Sequence, residues 1–196
     1  LEPDWAYHIL GPGMASRMEE MYSDPSVRPP EASGSDIKMF GYYIYNNIGI
    51  ALRTFASGMV AGIGSMLTLL FNGTILGAVS GHVQNAGYGH NFWPFVVGHG
   101  SFELTAIVLS GQAGFKIGFA PIWPGRRTRL QALQEEARES VGLVAGFFVM
   151  LLIAAFIEAF WSSSGASPTI KYTVGGLLWF LVIAYLGFAG RGHEPR

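Results

Sequence analysis

Residues 91–110, NFWPFVVGHGSFELTAIVLS, form an apolar stretch that is long enough to cross a membrane as a helix and that carries His99 and Glu103 near its middle. Residues four apart lie on one face of a helix, so these two side chains are predicted to point the same way. Ionisable side chains at membrane depth are costly and lie against packed protein or a wet cavity. The stretch therefore predicts both a membrane helix and a buried polar site.

The rest of the chain has the composition of a membrane protein with several spans. Hydrophobic residues make up 50% of the 196 residues, charged residues only 13%, and the mean hydropathy is +0.34. Residues 39–125 contain only three Asp, Glu, Lys or Arg side chains, and residues 141–190 contain only two. A soluble domain of this size would need far more polar surface. We therefore predict an all-α, polytopic helical membrane protein.

The charge distribution divides the chain into two regions. Residues 1–38 are acidic and end in a stretch rich in Pro, Gly and Ser, which predicts a solvated segment with one short helix near residues 14–22, followed by a linker. Residues 39–196 are predicted to form the helical transmembrane domain. The chain has no cysteine, which excludes disulfides and thiol chemistry. No secretory signal peptide is recognised at Leu1, and we expect a longer chain upstream.

Residues 42–83 are too long for one membrane crossing. As a single helix they would extend ~60 Å, roughly twice the bilayer core. A bend at residues 62–65 would give a hairpin with spans at 43–61 and 65–83, and this interpretation is favoured. The alternative is an interfacial helix over residues 42–55 that leads into one long span.

Three further spans are predicted, for about five in all. The first, residues 91–119, is expected to break at residues 98–100, and the others cover residues 141–161 and 172–190. The loop at residues 120–140 is predicted to contain an amphipathic helix with Leu130, Leu133 and Ala137 on one face.

Four arginines place the 120–140 loop in the cytoplasm by the positive-inside rule: Arg126, Arg127, Arg129 and Arg138. With five crossings, the C-terminus is then cytoplasmic and the segment 1–38 is extracytoplasmic. This orientation predicts an earlier span upstream of Leu1.

Small residues recur at four-residue spacing, which lets helix backbones approach closely. The pairs are Gly58/Gly62, Gly73/Gly77, Gly77/Gly81, Gly114/Gly118 and Gly142/Gly146. Tight packing inside one bundle is favoured over a dedicated dimer face, and a homo-oligomer is left open.

Three groups of intramembrane polar residues are candidate sites. They are His99 and Glu103 with Glu158 as a third member, Asn46 and Asn47 with Arg53, and Asn72 within a Phe-Asn-Gly kink. The first group permits a proton relay or an ion site, and Asn72 permits an unwound binding site. In the second group the asparagines could hydrogen bond across helices, and the arginine could snorkel or pair with a glutamate. The favoured interpretation is structural in each case, as buried hydrogen bonds or packing between helices.

Enzyme motifs are absent from the sequence. It contains no HExxH, GxSxG, P-loop or GxGxxG signature. Ser101 lies near His99 in sequence, but residues two apart on a helix do not share a face. The five histidines are dispersed along the chain. The sequence therefore predicts no enzyme, no cofactor and no metal site.

Several segments together resemble the stage II sporulation protein M family. They are YIYNNIGIALRTF, LLFNGTILGAVSGH, FWPFVVGHGSFELTAIVLSGQAG, a PG followed by arginines, and LLIAAFIEAFW, within residues 39–190. The resemblance implies an integral protein of the bacterial cytoplasmic membrane. The founding member works with a cell-wall hydrolase and a second membrane-anchored protein, and longer relatives are often associated with an AAA+ ATPase system. The acidic start and the span after IEAFW depart from the short sporulation type.

The resemblance singles out Asn46, Asn47, Asn72, His99, Glu103 and Glu158 as motif positions without implying a catalytic role for any of them. We predict a membrane scaffold or assembly factor of a cell-envelope complex, in contact with lipid and other envelope proteins and with no nucleic acid. The alternative is a small transporter or channel with a midplane polar site around Asn72, His99 and Glu103. A wet cavity reaching these residues would favour the transporter, and sealed side-chain contacts would favour the scaffold.

Overall fold

The computed structural model describes residues 3–23 and 35–189, and these residues form helices connected by turns, with no strand among them. The helices are α1 (Pro3–Leu10), α2 (Pro12–Ser23), α3 (Asp36–Gly58), α4 (Ile63–Asn85), α5 (Gly89–Phe119), α6 (Arg129–Phe156), a π-helical turn (Ile157–Ser162) and α7 (Pro168–Phe188). The all-α prediction is confirmed. The predicted linker and the C-terminal residues 190–196 lie outside the described residues.

Four of the described helices are long and apolar enough to cross a membrane. They are α4, α5, α6 with its π-helical turn, and α7. The remaining predicted span, residues 43–61, corresponds to α3, whose 23 residues extend about 34 Å. Its polar residues, including Asn46, Asn47 and Arg53, lower its hydropathy, so composition alone does not assign it to the membrane.

Helices α3 and α4 form the predicted hairpin. The turn lies at residues 59–62, just before the expected bend, and both Ala61 and Gly62 have positive φ angles. Ser65 Oγ donates a hydrogen bond to the Thr54 carbonyl at 2.7 Å, and the Ser57 and Thr68 hydroxyls are 3.0 Å apart. These contacts hold α3 against α4 across the turn, so a single long span over residues 42–83 does not form.

Helix α5 is the centre of the bundle and contacts α3, α4, α6 and α7. It remains helical through residues 98–100, so the predicted break is absent. Gly98 faces the π-helical turn instead, where an added Cβ would lie 3.4 Å from Ile157 Cγ2, whereas a Cβ at Gly100 would meet only Val96 of its own helix. The small residues permit approach between helices without unwinding either one.

The structure divides the predicted glycine pairs into two groups. At the end of α5, a Cβ on Gly118 would lie 2.6 Å from the Gly62 nitrogen and would also collide with the Gly58 carbonyl, and one on Gly114 would collide with Phe55 backbone. The other five glycines of the predicted pairs outside the hairpin turn have no neighbouring atom within 4 Å of an added Cβ: Gly73, Gly77, Gly81, Gly142 and Gly146. The interpretation of tight internal packing is therefore corrected for these five, which face outward.

Helix α6 begins at Arg129 and continues without interruption, so the predicted separate helix in the 120–140 loop is the first part of a membrane helix. Thr128 and Gln131 form a capping box at its start. Ala132 is buried and Leu133 is partly buried, whereas Leu130 is 63% exposed. The inward face is thus rotated from the predicted one.

The N-terminal helices form a cap on one end of the bundle, which corrects the prediction of a solvated segment with a single short helix. Leu10, Met14, Met18 and Tyr22 pack against buried Val79, Val83 and Phe92 of α4 and α5. Met14, Met18 and Tyr22 recur every four positions along one face of α2, and Leu10 joins them from the end of α1. We call this end of the bundle the cap end, and the opposite end, with the 59–62 turn and the 120–128 loop, the arginine end.

Candidate functional site

The structure brings His99, Glu103 and Glu158 together near the cap end. His99 and Glu103 lie one turn apart on α5, with His99 Nε2 4.0 Å from Glu103 Oε2. Glu158 comes from the π-helical turn after α6, and one ligand atom from each residue lies within 4.8 Å of the other two. His99 and Glu158 are buried, and Glu103 is partly buried. We call these three residues the His-Glu-Glu cluster.

Asparagines of α3 complete one side of the cluster. Asn47 Nδ2 donates to Glu158 Oε2 at 3.4 Å, and Asn46 Nδ2 donates to Asn47 Oδ1 at 3.0 Å. Asn47 is only 2% exposed. The two asparagines of one predicted group and the three members of another therefore form one network, and it joins α3, α5 and the π-helical turn.

A hydroxyl that the sequence analysis missed holds the other side. His99 Nδ1 lies 3.1 Å from Ser162 Oγ, and the Phe95 ring contacts the imidazole edge-on at 5.3 Å between centroids. Lys171 Nζ of α7 donates to the Ser162 carbonyl at 2.7 Å. The sequence could have indicated Ser162, because it follows Glu158 by four positions and such residues lie on one helical face.

The π-helical turn positions Glu158 and Ser162. It covers Ile157–Ser162, and Glu158, Ala159 and Ser162 are buried within it. Such turns are wider than α-helical turns and are often found at functional sites. The turn contains all of IEAFW, the end of a segment that carried the family resemblance, and adds Ser162. The periodicity of the sequence did not identify this irregularity.

The remaining candidate residues lie elsewhere. Asn72 Nδ2 reaches Thr54 Oγ1 at 3.5 Å across the hairpin, and α4 remains helical there, so the expected kink at Asn72 is absent. Arg53 is exposed and its guanidinium lies over Gly49. The predicted midplane site with Asn72 beside His99 and Glu103 is therefore corrected: Asn72 joins the hairpin contacts.

A cavity of about 460 Å³ opens at the cap end, between α2, α3, α5 and α7. Tyr22, Tyr43, Asn91, Phe95, Ser162 and Lys171 are among its lining residues. Burial raises the pKa of the Tyr22 phenol, and the negative charges of Glu158 and Glu103 raise it further. None of the cluster residues lines the cavity, but Phe95 and Ser162 separate it from His99 by one layer of side chains.

A second cavity, of about 520 Å³, lies between α4, α5 and α7. Its lining includes outward-facing Gly73 and Gly77 of α4 with Trp93, Tyr172 and Trp179. This groove has no residue in common with the His-Glu-Glu cluster.

Ser101, which the sequence placed near His99, donates its hydroxyl to the Gly98 carbonyl at 2.8 Å. The hydroxyl is thus engaged within its own helix. The hydroxyl within hydrogen-bond distance of the imidazole is that of Ser162.

A family model described as Stage II sporulation protein M matches residues 7–163, which include the whole cluster, Asn47 and the π-helical turn. The chain belongs to the stage II sporulation protein M family. The family match includes most of the cap helices, which lie before the segments that carried the resemblance, and it ends before α7 and Lys171.

An uncharacterized protein of the archaeon Methanocaldococcus jannaschii is 24% identical over 123 residues, which cover 62% of this chain and 69% of that protein. No solved structure matches the chain. Membership of the stage II sporulation protein M family therefore supplies the membrane context, and neither match assigns a role to the cluster residues.

Proposed function

We propose that this member of the family is an integral membrane scaffold or assembly subunit of a cell-envelope complex, and not an enzyme. The observation that carries the proposal is the enclosure of the intramembrane polar groups. Asn47, His99 and Glu158 are all buried, and each hydrogen bonds to a neighbouring helix or turn. Such contacts stabilise one helix arrangement, which a scaffold needs in order to present a constant surface.

The proposed orientation places the arginine end in the cytoplasm. Arg126 and Arg129 are exposed there. The pKa of Arg127 is raised by its hydrogen bond to Glu135, at 2.7 Å. The positive-inside rule then puts the cap end outside, provided that α3 crosses as a fifth membrane helix. The hairpin contacts between α3 and α4 support that crossing, since α4 itself is long and apolar enough to span.

Single cysteines test this topology, because the chain has none of its own. Ser164→Cys should react with an impermeant thiol reagent on intact spheroplasts. Val60→Cys and Gln134→Cys should react only after permeabilisation, because the 59–62 turn and the start of α6 lie at the arginine end. Val60 is 73% exposed, so its reactivity reports topology and not burial. Labelling of Val60→Cys from outside would place the hairpin turn on the wrong side and reject the orientation.

The exposed arginines are a candidate contact surface for a cytoplasmic partner, such as an ATPase of the AAA+ class. The double variant Arg126→Gln/Arg129→Gln should keep the thermal stability of the parent, because neither residue is packed in the core. It should reduce capture of a cytoplasmic partner from crosslinked membranes. The matched control is Arg17→Gln/Lys38→Gln, which removes equal charge near the cap end.

Topology must be rechecked in the arginine variant with Gln134→Cys, since positive charge also guides insertion. If topology is preserved and every cytoplasmic partner is retained, this surface does not serve assembly. Partner loss that is equal in the control variant would also reject a specific role for the arginine end.

A small transporter or channel is the second candidate, and the cap-end cavity favours it. Ser162 both lines the cavity and contacts His99. Rotation of Phe95 and Ser162 would connect the cavity to buried carboxylates, as a proton-coupled transporter requires. Proteoliposome measurements distinguish the two: a proton or cation flux that Glu103→Gln abolishes at unchanged stability supports the transporter, and no flux supports the scaffold.

A further inference from the structure

We infer that His99, Glu103 and Glu158 together bind one divalent first-row transition-metal cation of the zinc class. This inference goes beyond the scaffold proposal and is independent of it, because the site would join the same helices in a scaffold or in a transporter. It rests on the donor set, the supporting hydrogen bonds and the charge of the site.

The donor set consists of one imidazole nitrogen and two carboxylate oxygens, which are common zinc ligands. Ligands about 2.0–2.2 Å from one zinc ion lie roughly 3–4 Å from each other. The three ligand atoms already lie within 4.8 Å of one another, so side-chain rotation over about 1 Å would close the site. The sequence suggested an ion site at these three residues as an alternative to a structural role, whereas the dispersed histidines predicted no metal site.

The outer contacts are those that orient metal ligands. A histidine that binds metal through one nitrogen usually donates its other N–H to an oxygen, and Ser162 Oγ lies at Nδ1 of His99. With the proton on Nδ1, the Nε2 lone pair faces the glutamates. On the other side, Asn47 donates to one oxygen of Glu158. Both neighbours thus hold their ligands in position while leaving the Nε2 atom and carboxylate oxygens to face the centre of the cluster.

The charge of the cluster favours a cation. Among residues 3–23 and 35–189, neither Glu103 nor Glu158 forms an ion pair with a lysine or an arginine. Two carboxylates held this close inside a membrane repel each other when both are ionised. A divalent cation would balance both charges at once, which a neutral asparagine cannot do. The bound ion would link α5 to the end of α6.

Among residues 3–23 and 35–189, the second buried histidine is His82, and it offers a comparison. His82 Nε2 lies 2.8 Å from Glu19 Oε1, and the Tyr7 hydroxyl donates to the same oxygen at 3.2 Å. That pair contains one carboxylate, and its Glu19 Oε1 atom already contacts both the imidazole and the Tyr7 hydroxyl. His82 therefore serves as a matched control for removing one buried histidine–glutamate contact.

The test uses the full chain purified in detergent, stripped with a chelator and then incubated with Zn²⁺ or Co²⁺. After gel filtration, elemental analysis should find one equivalent of metal per chain. Bound Co²⁺ should show visible d–d absorption without thiolate charge-transfer bands, because the chain has no cysteine.

His99→Gln and Glu158→Gln should lose the bound equivalent, and His82→Gln should retain it. Ser162→Ala should weaken the affinity about 10- to 100-fold, because it removes only the orienting contact. The inference would be overturned if the wild-type chain bound neither Zn²⁺ nor Co²⁺. It would also be overturned if both His99→Gln and Glu158→Gln retained the full equivalent.

A second measurement covers the case in which those variants do not fold. X-ray absorption at the zinc edge of the wild-type chain should show only nitrogen and oxygen ligands, with scattering from one imidazole. A spectrum with two or more imidazoles would place the ion elsewhere in the chain and reject the site.

Discussion

Gly118→Ala is expected to destabilise the bundle by about 3 kcal/mol or more, at the upper end of the range for overpacked positions. The added methyl group would collide with the Gly58 carbonyl and lie 2.6 Å from the Gly62 nitrogen. Both obstacles are backbone atoms of the α3–α4 hairpin, which cannot rotate away as a side chain can. The expected result is separation of α5 from the hairpin turn at the arginine end.

Gly77→Ala is the matched control, because no atom lies within 4 Å of its added Cβ. Both glycines are helical, and the intrinsic helix preference for alanine is worth at most about 1 kcal/mol at Gly77 and less at Gly118, which is next to the last residue of α5. Unfolding in mixed micelles, followed by circular dichroism, measures both variants against the parent. Equal stability of the two would show that α5 does not approach the hairpin as closely as the structure places it.

The outward glycines raise the question of a second copy of the chain. Gly77→Leu should leave the stability of the monomer unchanged, since the side chain extends into open space. If the same variant shifts a dimer toward monomer in detergent, the Gly73/Gly77/Gly81 ridge packs between subunits. If the oligomeric state is unchanged, the ridge faces lipid or another protein.

In protein freed of metal by a chelator, Glu158→Leu is expected to lower the free energy of unfolding by about 1–3 kcal/mol, because it leaves the buried Asn47 Nδ2 donor without its acceptor. Glu158→Gln should cost less than about 1 kcal/mol, since its carbonyl oxygen can accept the same hydrogen bond. The comparison separates loss of a hydrogen bond from loss of a charge. Thermal or denaturant unfolding with a chelator present keeps any metal contribution out of the measurement.

A double-mutant cycle between Asn47→Ala and Glu158→Ala measures their coupling directly. Membrane couplings average about 0.6 kcal/mol and reach about 1.7 kcal/mol, so a value in this range fits a clasp between α3 and the π-helical turn. Glu20→Leu is the control for replacing a glutamate. Glu20 is exposed, so the free energy of unfolding of this variant should stay within about 0.5 kcal/mol of the parent. A coupling near zero would mean that the 3.4 Å contact contributes nothing to stability.

The two pairs of measurements concern different ends of one molecule. The glycine contacts hold the hairpin to α5 at the arginine end, and the polar cluster holds α3, α5 and the π-helical turn near the cap end. A bundle fixed at both ends fits the scaffold proposal. A bundle held firmly only at the arginine end would leave the cap-end cavity free to open, as the transporter requires.

Apolar length and charge placement in the sequence alone determined most of the helical architecture. The spans, the hairpin in residues 42–83 and the shared face of His99 and Glu103 follow from the helical period and from the bilayer thickness, which are properties of any helical chain. The sequence could also have predicted the cap, because Leu10, Met14, Met18 and Tyr22 are apolar residues spaced four positions apart. The acidic residues around them concealed it.

Tertiary structure alone decided which partners meet. Small-residue spacing occurs equally at Gly114/Gly118 and Gly142/Gly146, yet only the first pair meets another helix, because spacing specifies a ridge and not the groove that receives it. Asn47 and Glu158 are 111 positions apart, and no local pattern encodes their contact. The π-helical turn and the rotation of α6 set the direction of Glu158 and Ser162, and both depend on how whole helices pack. The cluster is therefore a product of helix packing, although each of its members could be chosen from the sequence.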